Sequence, residues 1–160
     1  MKIGILSDTH LYGVSRALEE IYGQYLSDMD LILHAGDFVS IEVVEYLNRD
    51  NFYGVHGNMD PFDIREMLPR KRMIELGAHR IGLIHGYGSP EGLEQKIGTE
   101  FPDADVIVYG HSHRAANHIR EGVLFFNPGT LASNHPQRPN TIGVLEIDDR
   151  DRISGKIVSI

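Results

Sequence analysis

A chain of 160 residues with 41% hydrophobic and 24% charged side chains has the profile of a soluble globular protein and is long enough to build a real core. Its formal net charge of −8 argues against an extended nucleic-acid surface, which needs a basic stripe. There is no cysteine, so disulfides and thiolate metal sites are excluded, and no apolar run reaches the length of a membrane span.

In chain order, residues 2–6 (KIGIL) are predicted as a buried strand. The run reaches Asp8 too soon for a signal peptide, so a cytoplasmic protein is expected, with a single domain over residues 1–160. Residues 13–26 (GVSRALEEIYGQYL) place Val14, Leu18, Ile21, Tyr22 and Tyr25 at helical spacing. LILH at 31–34 reads as a second strand. Ser40 is then suited to cap a helix whose apolar positions include Ile41, Val44 and Leu47. Residues 52–56 (FYGVH) read as a third strand, and a short helix is expected from Pro61 to Met67, with Pro61 in its first turn. PRKR at 69–72 reads as a solvated loop.

The second half is richer in strands. RMIEL and RIGLIH form a predicted hairpin around Gly77–Ala78. Ser89 and Pro90 are expected as the N-cap and first position of a helix that buries Leu93 and Ile97. A strand follows at 105–109 (DVIVY), and then short strands ANHIR, VLFFN, TIGVLEI and RISGKIVSI. A chain that begins βαβαβ and ends in strands is satisfied by two packed sheets with helices outside, an α/β architecture.

Five of these strands end alike. IGIL runs into Asp8 and His10, LILH into Asp37, FYGVH into Asn58, RIGLI into His85, and DVIVY, past a glycine, into His111 and His113. Ligands of open α/β sheets bind beyond the carboxyl ends of strands, and every one of these residues is of a metal-ligand type. In a strand, residues i and i+2 point the same way, so His111 and His113 can converge on one place. Taken singly, Asp8 and Asp37 also read as helix caps, Asn58 as a turn residue and His85 as a packed core histidine.

The ordered set Asp8-x-His10, Gly36-Asp37, Gly57-Asn58, His85-Gly86 and Gly110-His111-x-His113 resembles the motifs of the calcineurin-like metallophosphoesterases, in particular their small archaeal and bacterial phosphodiesterase branch. The resemblance implies a four-layer α/β/β/α sandwich of two mixed sheets packed face to face. It also implies two metal ions, one held by Asp8, His10, Asp37 and His113 and the other by Asp37, Asn58, His85 and His111, with Asp37 bridging. The activity it implies is hydrolysis of small or nucleotide-like phosphodiesters by a metal-bridging hydroxide. Carboxylates and imidazoles favour Mn, Ni, Fe, Zn or Co over Mg and Ca, and Mn is the first expectation. A phosphomonoesterase and a non-catalytic protein-binding scaffold on the same fold are the alternatives. The expected partner is a small phosphoester, without a membrane, and a homo-oligomer is left open.

One position departs from the resemblance. Many relatives carry a histidine directly after Gly-Asn, where it serves the leaving group; here the residue is Met59, which cannot transfer a proton, and the small phosphodiesterase branch resembles this chain in lacking that histidine. His56 and His10 are near in sequence. Asp60 reads either as a carboxylate that orients a ligand histidine or as a helix cap before Pro61. Asn127-Pro128-Gly129-Thr130 reads as an ordinary turn or as one whose backbone lines the site. His34 is expected to pack inside its strand, and His79, His118 and His135 to lie in turns or at the surface.

Overall fold

The apolar runs become two five-stranded sheets in the computed structural model, which describes residues 1–48, 51–132 and 139–160. The first sheet comprises β1 (Lys2–Leu6), β2 (Leu31–His34), β3 (Phe52–Gly54), β9 (Thr141–Ile147) and β10 (Ile153–Ser159), in the order β10-β9-β1-β2-β3. The second comprises β4 (Lys71–Leu76), β5 (His79–Ile84), β6 (Val106–Val108), β7 (Ala116–Arg120) and β8 (Val123–Asn127), in the order β4-β5-β6-β8-β7. Both are mixed. β1, β2 and β3 run parallel; at one edge β9 pairs antiparallel to β1, and β10 antiparallel to β9. β5, β6 and β8 run parallel between the antiparallel edge strands β4 and β7.

Three apolar clusters set the layers. Ile3, Ile5, Leu33 and Leu145 of the first sheet meet Ile81, Leu83, Val106 and Phe126 of the second. The other face of the first sheet takes up α1 (Arg16–Ile21), α2 (Ile41–Leu47) and α3 (Phe62–Met67) through Leu18, Val43, Val44, Leu47 and Ile64. The other face of the second buries Leu93 and Ile97 of α4 (Leu93–Gly98) against Ile84, Ile107 and Phe125. The result is the α/β/β/α sandwich. Strands covered on both sides are mostly apolar, as in the fully buried β2, whose one polar residue is His34 at its end. Among the described residues no helix is long and apolar enough to cross a membrane.

Local details differ from expectation where side chains compete for the backbone. The first helix starts at Arg16, because the Ser15 side chain accepts the Leu18 N–H, and it loosens into a π-helical turn at Tyr22–Leu26. Ser40 occupies the N-cap of α2 but makes no side-chain cap bond. β3 stops at Gly54, and Pro61 is the N-cap of α3, one position before its first turn. The helix expected from Ser89 begins instead at Leu93: Ser89 Oγ accepts the Glu91 N–H at 3.2 Å, and Gly92 at φ 68 starts α4. The basic 69–72 stretch is not a solvated loop. Lys71 and Arg72 open β4, and Arg70 and Lys71 both pair with Glu100 at 2.7 Å. His135, expected in a turn or at the surface, lies outside the described residues.

Candidate metal centre

The strand ends do not continue in extended form. Asp8 (φ 52), His10 (φ 47), Asp37 (φ 61), His111 (φ 65) and His113 (φ 54) all adopt left-handed backbone. Each such residue costs on the order of 1–3 kcal/mol and persists only where its surroundings over-determine it. Here Asp8 N–H donates to Gly36 O at 2.9 Å, His10 N–H to Asp37 O at 3.1 Å, and His111 N–H to Asp8 Oδ2 at 3.1 Å. The alternation of a strand is therefore not what directs His111 and His113. β6 ends at Val108, and two left-handed turns send the two rings to opposite sides of one cluster.

On one side, His10 Nε2 and His113 Nε2 face each other at 3.3 Å. His113 Nε2 lies 3.1 Å from Asp8 Oδ1, and His10 Nε2 lies 3.8 Å from both Asp8 Oδ1 and Asp37 Oδ2. On the other side, His85 Nε2 lies 3.3 Å from Asp37 Oδ2 and 3.1 Å from Asn58 Oδ1, and His111 Nδ1 lies 2.9 Å from Asn58 Oδ1. Two triads, Asp8–His10–His113 and Asp8–Asp37–His85, bring one donor atom from each residue within 4.8 Å of the others. All seven residues singled out in the sequence meet here.

The donor set fits a cation. Asp8 is fully buried, and its Oδ1 has no hydrogen-bond partner of acceptable geometry despite the nearby imidazoles. His85 Nδ1 donates to Ala35 O and His111 Nε2 to Gly88 O, both at 2.7 Å. These bonds set the tautomers, so neutral rings turn only lone pairs toward Asn58 Oδ1 and Asp37 Oδ2. A positive charge among these acceptors, whether proton or metal ion, satisfies them together. The titration behaviour agrees. Burial raises the Asp8 carboxyl, but the His10 and His113 imidazoles facing it, the charge of His85 and the Ser7 hydroxyl outweigh it and hold the group far below the ordinary carboxylate range. Asp37 is likewise lowered: burial opposes, and His85 and the Met59 N–H prevail. His113 is raised by the Asp8 carboxylate beside it, and His85, against its own burial, is raised by Asp37 and Asp8.

A ring of supporting groups holds these side chains. Ser7 Oγ donates to Asp8 Oδ2 at 2.6 Å and Thr130 Oγ1 to Asp8 O at 2.7 Å. Asn127 Nδ2 donates to Gly110 O at 2.9 Å and to Ser112 Oγ at 3.1 Å, so the 127–130 turn reaches the centre through side chains rather than by lining it with backbone. Asp60 neither orients a histidine nor caps α3; its carboxylate takes the N–H groups of Asp37, Val39 and Gly57. Arg65 binds the carbonyls of Asn58 and Asp60, both at 2.7 Å. A Cβ on Gly57 would fall onto Asp37 Oδ1, and one on Gly110 would overlap Ser7 Oγ and stand 2.6 Å from Asp8 Oδ2.

The remaining histidines stand apart. His34 is buried and stacks on Phe38 with ring centroids 3.6 Å apart; its Nδ1 accepts the Gly36 N–H, and burial pushes it down to about 3. His79 meets Asp151, and His118 meets Glu94 at 3.1 Å. His56 Nδ1 lies 3.4 Å from Gly57 O. Met59 is 58% exposed, while its N–H donates to Asp37 Oδ1 at 2.7 Å. Arg65 and the side-chain roles of Ser7, Asn127 and Thr130 were not legible in advance, because their partners are backbone atoms or distant segments with no sequence pattern.

Comparison with known proteins agrees with this geometry. The family model of the calcineurin-like phosphoesterase superfamily domain matches residues 1–150. A probable metallophosphoesterase of Methanothermobacter thermautotrophicus is 34% identical over 162 residues, which cover 99% of this chain and 92% of the relative. Phosphodiesterase MJ0936 of Methanocaldococcus jannaschii is 30% identical over 167 residues, covering 94% of this chain and 96% of the relative. The structure of vacuolar protein sorting 29 from Cryptosporidium parvum shares the fold with a TM-score of 0.73 at 24% identity, covering 99% of this chain and 98% of that one. The chain belongs to the calcineurin-like phosphoesterase superfamily.

Proposed function

We propose that this chain is a cytoplasmic metallophosphoesterase, acting as a single domain over residues 1–160, that hydrolyses small or nucleotide-like phosphodiesters with two divalent ions. Asp8, His10, Asp37 and His113 would hold one ion, and Asp37, Asn58, His85 and His111 the other, with Mn preferred and Ni, Fe, Zn or Co suited to the same donors. The observation that carries the reading is the buried, unpartnered Oδ1 of Asp8, faced by two imidazole nitrogens. Bound ions would supply charge neutralisation for a phosphoryl group and a lowered pKa for attacking water.

The chain's own residues do the rest. Asp8 and Asp37 stay anionic, and the Met59 N–H binds the second Asp37 oxygen at 2.7 Å and favours its charged form. The His113 side chain is 41% exposed, so the centre is open to substrate from that side. Met59 offers no proton to a departing oxygen, which favours esters with acidic leaving groups.

The test is metal analysis of the purified protein, together with hydrolysis of an aryl phosphodiester and its monoester with added Mn, for the native chain and Asp37→Asn. A diester rate well above the monoester rate, lost in Asp37→Asn, is expected. A monoester preference would make the enzyme a phosphomonoesterase. The fold shared with a vacuolar sorting protein favours a second reading, a protein-binding scaffold. Metal at full occupancy without turnover of either ester would select it.

A further inference from the structure

Beside the histidine cluster the surface opens into a cleft of about 260 Å³, walled by segments 90–94 and 112–116. His111, which precedes the cleft-lining Ser112, has its Nδ1 on Asn58 in the centre and its Nε2 bonded to Gly88 O, two residues before the 90–94 wall. Ser112 and Arg114, the neighbours of His113 in the chain, line the opposite wall. The cleft thus shares its wall with the segment that carries His111 and His113, since Ser112 stands between them in the chain and Arg114 follows them. The volume is below the roughly 300–1,000 Å³ of a complete ligand pocket, and suits one substituent rather than a whole substrate.

The charges in the cleft are matched except for one. Glu94 is consumed from within: Tyr109 OH donates to its Oε1 at 2.6 Å, His118 Nε2 stands 3.1 Å from Oε2, and Arg120 lies 4.0 Å away. Arg114 has no such partner. Among the described arginines, only Arg114 and Arg150 have a guanidinium without a hydrogen bond, ion pair or ring contact. With 23 acidic against 15 basic side chains in the sequence, an arginine that meets no carboxylate stands out, and it does so one residue after His113. The planar guanidinium fork is complementary to a carboxylate or phosphate.

We propose that this cleft receives the second ester group of the substrate and that Arg114 selects substrates in which that group carries an oxyanion. The proposal rests on the phosphodiesterase reading above, and Arg114 acts in it as a specificity residue, not in the chemistry.

Two nitrophenyl phosphodiesters that differ only in the second ester group, propyl against 3-carboxypropyl, test it on the Mn-loaded protein. The native chain should prefer the carboxypropyl ester in kcat/KM by about 10-fold, the scale of one charge-assisted hydrogen bond. The ratio should fall to about one in Arg114→Ala and below one in Arg114→Glu, a change anchored in the same interaction. A native ratio near one, or a ratio unchanged in Arg114→Ala, overturns the proposal. Calorimetric binding of propylphosphonate and 3-carboxypropylphosphonate separates it from failure of the phosphodiesterase reading. If neither ester is hydrolysed, tighter binding of the carboxypropyl compound that is lost in Arg114→Ala still supports the subsite, and equal affinities reject it.

Discussion

The Asp60 carboxylate holds the backbone of Asp37: Oδ2 accepts the Asp37 N–H at 2.9 Å and the Gly57 N–H at 2.7 Å, while Oδ1 accepts the Val39 N–H at 2.8 Å. Asp37 and Val39 are both left-handed, at φ 61 and 78, so these bonds oppose a strained local path. Asp60→Ala leaves three N–H groups without their acceptor and should cost about 2–4 kcal/mol of stability, since each buried unmet donor is worth about 1–3 kcal/mol and some regain water. Denaturant unfolding reads the loss, and Mn titration reads the weakened retention of metal by a displaced Asp37. An unaltered unfolding midpoint with unaltered Mn affinity is the result that removes Asp60 from this role.

His111 and His113 are two residues apart, yet one faces Asn58 and the other Asp8. His111→Ala and His113→Ala should therefore weaken different ions, each by at least about 100-fold, the upper end of what loss of a supporting partner costs a metal site. Anomalous scattering from Mn-soaked crystals should show the opposite site depleted in each variant. Depletion of the same site in both would overturn the division of ligands.

The convergence of these seven side chains was legible because each lies within a few residues of the point where an apolar run stops, and such runs are readable as covered strands. The four layers follow from the same runs and from the apolar spacing of Leu18, Val44 and Ile97. The path between strand and ligand was not legible. Left-handed backbone at Asp8 and Asp37 is imposed by bonds such as Asp8 N–H to Gly36 O, between segments distant in sequence. Asp60 had two local readings, and the actual partners come from three separate backbone positions. The start of α4 was misplaced because Ser89 offers a side-chain oxygen that caps a helix or closes a tight turn equally well, and here it closes the turn.

The buried His34 predicts how stability depends on acid. Its folded value of about 3 lies below the ordinary 6.5, so the unfolded chain binds its proton first. Its contribution is complete above pH 6.5 and is lost as pH falls toward 3. His85 and His113, raised in the folded state, act in the other window: their stabilisation is present below 6.5 and lost as pH rises through their folded values. The unfolding free energy of the metal-free protein should thus fall by about 1.4 kcal/mol per pH unit between roughly pH 6 and 4, the slope for one proton. In His34→Asn, whose side-chain oxygen can still accept the Gly36 N–H, the slope should flatten. Urea unfolding across this range measures it, and an equal slope in both proteins would place the titration elsewhere.

Met59 sets the last expectation. Its side chain projects into solvent beside Asn58 while its N–H secures Asp37, so a histidine there needs no core rearrangement and keeps the backbone bond. If departing oxygens receive no proton from this position, native rates should depend steeply on leaving-group acidity. Diesters of acidic phenols should turn over much faster than dialkyl diesters. Met59→His should raise the rate for poor leaving groups by about 10- to 100-fold, at or below the low end of general-acid effects, because the new ring lacks partners to fix its rotamer. For the most acidic phenol the gain should shrink toward none, flattening the plot of log rate against leaving-group pKa. Single-turnover measurements on a series of substituted phenyl diesters give that plot for both proteins. A native slope already flat, with chemistry shown to limit the rate, would mean that another group protonates the leaving oxygen and that Met59 marks no missing acid.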